Sequence, residues 1–403
     1  MSRADSLGAL RERQFRLLFI GQTVSLLGDS MTPVALAFAV LDLTHSPSDL
    51  GFVIAAKTAP LVAFLLVGGV FADRLPRRAV MLTADVIRLG TQGGTAALIL
   101  THSAHIWELV ILQALAGTAT AFFNPASTGL TPMTISPERL QQANALRGIS
   151  MASTGIAGYA LAGVLVAGVG PGWALAGDAS SFAVSAIFLS RLRLPAHQTL
   201  PPQSFLADLR DGWREFVSRD WVWVIVLGAS IGNGLGAAMI VLGPVVAKAS
   251  LGGPAAWAGI LVAMAVGSLV GASFSLRVKP RRPLLVGVLF LSPSLLPTLL
   301  LGFPAPLAAI IAGGFVSGVG LMIFNSLWET TLQQHVPAQA LSRVSAYDWF
   351  GSLAILPICL AIAGPVSVVI GTQATLWVAS GGMAVMTAVM LIPRSVRTLE
   401  RAV

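Results

Sequence analysis

Charge is what this chain has least of. Only 10% of its 403 residues are Asp, Glu, Lys or Arg, against about 25% in an ordinary soluble domain. So few charges cannot cover a water-facing surface of normal size, which excludes a soluble globular protein. Cysteine occurs once, at Cys359 inside an apolar run. No internal disulfide can form, and a small buried hydrophobe is the plain reading. The five histidines, His45, His102, His105, His197 and His335, fall in loops or at the ends of apolar runs. They lack metal-ligand spacing, and no Ser–His–Asp arrangement can be assembled from them. No glycine-rich phosphate loop is present, which excludes ATP hydrolysis within the chain. The chain therefore reads as no enzyme, with no metal and no cofactor. The polar opening MSRADSLGALRERQFR is not a cleaved signal peptide, since the first apolar run continues for a full membrane span.

What is abundant is apolar surface, at 55% of residues. Runs long enough to cross a bilayer need about 20 residues each, and twelve can be placed. They cover residues 17–41, 50–72, 79–100, 106–123, 140–169 and 173–192, then 221–246, 254–276, 283–302, 306–327, 344–370 and 373–392. The net charge of +8 could suggest nucleic acid, but of the 25 Lys and Arg all except Lys57 and Lys248 fall in or beside segments on one side of these spans. That asymmetry is the positive-inside bias. It predicts a multi-pass membrane protein with both termini cytoplasmic. No continuous basic surface is left for nucleic acid.

The longest hydrophilic segment, 195–220, divides the chain into halves, 1–194 and 221–403. Its second part places Phe205, Leu209, Trp213 and Phe216 on one helical face and predicts an amphipathic helix in the inner interface. Phe123-Asn124, Pro137 and the ANAL at 143–146 return as Phe324-Asn325, Pro337 and VSAY at 344–347. That offset of six spans marks two halves in parallel repeat. Gly232, Gly234, Gly236 and Pro244 predict bends in the seventh span, and the eighth is also glycine-bearing.

Between the second and third spans the chain reads GGVFADRLPRR, residues 68–78, with Asp85 and Arg88 just beyond. So short and basic a turn makes a hairpin with a cytoplasmic tip. The string resembles the loop between the second and third helices of major facilitator superfamily transporters. Gly69, Asp73, Arg74, Arg77 and Arg78 fill the motif positions, and Pro76 replaces the usual Gly. FFNPAS, PERLQQANAL, GxxGxxLAG in span five and LQQHVPxxxLSRVSAYD after span ten are similar in order and spacing to a bacterial efflux branch of macrolide and catecholate-siderophore exporters. Tyr159 stands where the span-five antiporter motif has Pro. The resemblance implies an all-α membrane protein with twelve transmembrane helices in two pseudo-symmetric six-helix bundles. It also implies alternating access, with the Gly69–Arg88 residues latching the cytoplasmic face in the outward-open state.

Charges inside the spans are costly and therefore informative. Asp29 lies twelve residues into span one, about 18 Å deep at 1.5 Å per residue. Lys57 lies in the outer half of span two, about two helical turns different in depth. Asp29 is the leading candidate for proton coupling, with Lys57 as its neighbour; a fixed Asp29–Lys57 pair that orders two helices is the plain alternative. Asp178, in span six, is a further proton-coupling candidate whose plain reading is a hydrogen-bonded structural carboxylate. Asn124, Asn325, Glu329, Arg343 and Asp348 are inner-gate candidates, with Asp348 a possible partner for one of the loop arginines.

These readings converge on a monomeric secondary transporter in the lipid bilayer. It exports a small amphiphilic compound, such as a drug, secondary metabolite or siderophore, by antiport against protons, with the proton gradient as its energy source. The same fold acting as a lysophospholipid flippase or an importer is the rival, and a non-transporting receptor or scaffold is a more distant one.

Overall fold

The computed structural model describes residues 8–64, 75–194, 205–303 and 305–401. Among these the chain is helical throughout, with no strand. Ten helices or joined helix pairs among the described residues are long and apolar enough to cross a membrane. The second and third spans complete the set of twelve. One runs from Pro47 towards the undescribed stretch, and the other, Arg77–Leu100, is made less apolar by Asp85, Arg88 and Gln92.

The first half contains α1 (Arg13–Asp29), α2 (Thr32–Thr44), α3 (Pro47–Ala63), α4 (Arg77–Leu100), α5 (Ile106–Leu130), α6 (Leu140–Val169) and α7 (Pro171–Ser190). After them come α8 (Phe205–Val217), α9 (Asp220–Val246), α10 (Pro254–Ser275), α11 (Pro283–Leu291) and α12 (Leu296–Gly302). The chain ends with α13 (Leu307–His335), α14 (Ala338–Leu353), α15 (Leu356–Ile370), α16 (Thr372–Met390) and the short α17 (Arg394–Thr398). Two compact units result. One holds residues 1–45 with 56–201, the other residues 46–55 with 202–403.

Three spans are divided at prolines, while Pro60, Pro125, Pro244 and Pro365 sit inside continuous helices. Pro33 has no N–H to give the Asp29 carbonyl and its ring crowds that carbonyl. The first span accordingly divides into α1 and α2, with Asp29 as the last residue of α1. Pro357 does the same at Leu353, dividing α14 from α15. Pro293 and Pro297 insert a 3-10 turn, Ser292–Leu295, between α11 and α12. Span seven, where glycines and Pro244 predict bends, is not divided: α9 runs from Asp220 to Val246 with Pro244 inside it and ends in a π-helical turn, Ala247–Leu251. A glycine only loosens a helix, whereas a proline removes a hydrogen bond. Span eight, α10, is likewise continuous.

The core of the first unit gathers Leu18, Met81, Phe123, Leu130 and Leu189. The second unit's core is richer in aromatics, with Phe216, Trp221, Phe324 and Trp328. The amphipathic helix expected after the first half is α8. It docks by Gly212, which lets the backbone approach Arg343 and Tyr347, and by Phe216, whose ring centroid lies 5.8 Å from that of Tyr347.

Candidate functional site

The first unit concentrates its polar chemistry on one face of α4. Asp85, Arg88 and Gln92 recur at helical spacing, and all three are buried. Arg88 is gripped by two rings and two carboxylates, while its Nε is buried without a hydrogen-bond partner among the described residues. Its guanidinium carbon lies 4.0 Å from the centre of the Phe123 ring on α5 and 4.4 Å from that of Phe182 on α7. Cation–π contacts of this kind contribute about 2 kcal/mol each when water is excluded. At its edge, Arg88 donates from Nη2 to Asp85 Oδ1 and from Nη1 to Asp29 Oδ2 at 3.3 Å.

One cation thus serves two carboxylates of different accessibility. The Asp85 side chain has no exposure, while Asp29 keeps 31% of its side-chain surface open. The Pro33 break sets Asp29 at the end of α1, and α1 and α4 both pack on α7, which carries the Phe182 that seats Arg88.

One helical turn along α4, a second group surrounds Asp178 on α7. Asp178 Oδ2 accepts hydrogen bonds from Thr32 Oγ1 at 2.7 Å and from Gln92 Nε2 at 2.6 Å. Gln92 Oε1 in turn accepts from Gln113 Nε2 on α5 at 2.9 Å. Asp178 and Gln113 are fully buried. Gly28, the residue before Asp29, is needed for this approach: a Cβ there would fall 2.6 Å from Asp178 Oδ1. Lys57 on α3 is half-buried and interacts electrostatically with Asp178.

Asp29, Asp85 and Arg88 come together; Asp178 adjoins them, in electrostatic reach of Asp29 as well as of Lys57. The cation within 4 Å of Asp29 is Arg88, and no Asp29–Lys57 ion pair is formed. Gly69, Asp73 and Arg74 lie outside the described residues. Arg77 Nη1 donates to the Gly129 carbonyl near the end of α5 at 2.5 Å. Arg78 Nε donates to the Leu189 carbonyl at 2.9 Å and Nη2 to that of Ser190, at the end of α7. Both arginines thus satisfy helix-terminal carbonyls, where a cation also suits the helix dipole.

In the second unit Asp348 accepts from Trp328 Nε1 at 3.0 Å and from Ser352 Oγ at 3.4 Å. Arg343 lies at the α8 contact, and Asn124, Asn325 and Glu329 are exposed. Sequence reasoning passed over Thr32, Gln92, Gln113, Phe123 and Phe182. The signal for Gln92 and Gln113 was present: a glutamine inside a membrane helix needs a partner as a charge does. Among the described residues, no group of His, Cys, Asp and Glu could hold a metal ion.

The fold recurs in solved transporters. The nucleoside transporter NupG aligns with a TM-score of 0.71 at 14% identity, over 94% of this chain and 98% of its own. A bacterial homolog to the human lysosomal transporter Spinster, in an inward-facing and occupied conformation, aligns with a TM-score of 0.72 at 14% identity, over 96% of both chains. In sequence, the chain is 27% identical over 399 residues to the multidrug efflux pump Tap of Mycolicibacterium fortuitum, covering 93% of this chain and 94% of the pump. It is 26% identical over 351 residues to the enterobactin exporter EntS of Citrobacter koseri, covering 82% of this chain and 80% of the exporter. The Major Facilitator Superfamily model matches residues 18–357. With that match over most of its length and the fold to go with it, this chain belongs to the Major Facilitator Superfamily, a family of membrane transporters and not of enzymes.

Proposed function

We propose that the protein is a proton-coupled exporter of a small amphiphilic compound and that Asp29 is the carboxylate that exchanges the proton. It works as a monomer in the bacterial plasma membrane with both termini in the cytoplasm, by alternating access of two halves, 1–194 and 221–403, joined through 195–220. The efflux-pump and exporter names of its relatives support the direction of transport. The shared guanidinium of Arg88 carries the coupling argument. Two carboxylates, Asp29 and Asp85, share the one guanidinium of Arg88. With all three ionised, one negative charge is in excess at this contact, and in so poorly solvated a setting an unmatched charge costs several kcal/mol. A single bound proton removes the excess.

Asp29 is the member best placed to take it, since Asp85 and Asp178 are sealed and Asp29 is partly open. When Asp29 is protonated, Arg88 pairs with Asp85 alone. When Asp29 releases the proton, Arg88 bridges α1 and α4. Proton occupancy thereby sets how the two helices are tied, which is the kind of bistable contact a transport cycle needs.

The test is transport in liposomes with an imposed pH gradient, read with a fluorescent lipophilic cation. The unaltered protein moves the dye against its gradient while protons flow the other way. Asp29→Asn, correctly inserted, is expected to lose gradient-driven movement and keep only downhill exchange. Undiminished gradient-driven export by Asp29→Asn would overturn the proposal. Substrate moving with the protons would identify an importer, and movement of a lysophospholipid alone a flippase.

A further inference from the structure

The second unit carries an apolar groove that the transport reading does not use. It lies between the beginning of α9 and the end of α16, with a volume of about 250 Å³. Trp223 and Leu227 form one wall, and Met386, Val389 and Ile392 the other. Gly228 and Met390 close the floor, Met390 packing where a Cβ on residue 228 would stand. Trp223, Leu227, Val389 and Ile392 each expose between 40% and 67% of their surface. On a membrane-spanning pair of helices that face meets lipid.

The mouth of the groove is not apolar. Pro393 lines it, and Arg394 follows directly in the chain. Arg397 Nη2 donates to the carbonyl of Ile392, another lining residue, at 3.2 Å. Both arginines are exposed, while Val396 between them is buried in the unit's core and pins α17 in place. The neighbouring charges are Asp220, one turn before Trp223, and Arg219, already paired with Glu215 at 2.8 Å. The strap continues to Arg401, whose N–H is bonded to the Arg281 carbonyl at 2.9 Å. Around a second cavity there, Lys279, Arg281 and Arg401 stand against Glu400. Cations therefore exceed acids along the whole edge.

We infer that this groove is a binding site for an anionic phospholipid, one acyl chain lying against Trp223, Leu227 and Val389 and the phosphodiester held by Arg394 and Arg397. A fixed apolar slot alone would accept any lipid. The adjoining pair of cations selects for negative charge, and the tryptophan is the residue type that sits at headgroup level. The arginines offer forked donors that match a phosphate. The inference needs only that α9 and α16 span the bilayer; it is independent of proton coupling.

The full-length protein in a mild non-ionic detergent, titrated with phosphatidylglycerol and watched by native mass spectrometry, gives the test. Two charges near a lipid surface predict that Arg394→Gln with Arg397→Gln weakens phosphatidylglycerol binding about 30-fold. Leu227→Trp, which fills the slot, is expected to weaken it too without changing the surface charge. Phosphatidylcholine is expected to bind far more weakly than phosphatidylglycerol to the unaltered protein. Equal binding of the two lipids, or unchanged binding in both variants, would overturn the site. So would a dimer dissolved by Leu227→Trp alone, which would assign the groove to a second copy of the chain. Circular dichroism of each variant guards against a folding defect, and the exposed arginine pair keeps the test available if the groove variant misfolds.

Discussion

The two units repeat a fold but not a chemistry. In the first, buried side chains include Asp85, Arg88, Asp178, Gln92 and Gln113; in the second, the buried polar side chains among the described residues are all hydroxyls, such as Ser230, Ser317, Thr331 and Ser367. Those hydroxyls can satisfy themselves within their own helix, as Thr331 Oγ1 does on the Leu327 carbonyl at 2.7 Å and Ser367 Oγ on that of Gly364 at 2.7 Å. The first unit's groups cannot: Arg88, Asp178 and Gln92 reach between helices for every partner but Asp85. Helix packing in the first unit is therefore tied to several buried charged groups; in the second, among the described residues, the half-buried carboxylate of Asp348 on α14 reaches across to Trp328 on α13. The comparison teaches that duplication supplies the frame, while most of the costly interhelical charges were kept on one side of it.

That contrast can be broken from either side. The largest effect should come from Arg88→Met, which leaves Asp85 buried without its cation. A loss of about 3–5 kcal/mol is expected, measured as unfolding in mixed detergent micelles. Adding Asp85→Asn should restore much of it, because the two residues act as one unit. A smaller loss, about 1–3 kcal/mol, is expected for Gly28→Ala, whose methyl group would push Asp178 from Thr32 and Gln92. Its thermal melt should fall together with transport. The smallest change belongs to the second unit. Ser367→Ala removes a hydrogen bond within one helix and should cost about 1 kcal/mol or less, with export rates unaltered. An effect of Ser367→Ala as large as that of Arg88→Met would erase the distinction between the units.

Much of this was legible in the residues. The apolar runs, the basic turn at Arg77-Arg78 and the isolated charges Asp29, Asp85, Arg88 and Asp178 all stand out because lipid tolerates so few polar groups. Which charges meet was harder to read. Lys57 was expected beside Asp29 on grounds of depth alone, yet depth says nothing of azimuth. α1 and α4 both pack on α7, and Phe123 and Phe182 leave the Arg88 guanidinium directed to the two carboxylates. Helix ends also outran the apolar stretches. α5 continues past Phe123 to Leu130 and α13 past the expected end at Leu327 to His335, because a helix need not stop where the hydrocarbon does. The breaks at Pro33 and Pro357 were present in the sequence, but attention went to the glycines and Pro244 of span seven.

The measurement closest to the central claim is proton release on substrate binding, followed with a pH indicator in weakly buffered detergent solution. The purified protein should release close to one proton per molecule of amphiphilic cation bound, and Asp29→Asn should bind the cation and release none. Release that persists undiminished in Asp29→Asn would place the exchanging proton elsewhere and contradict the account.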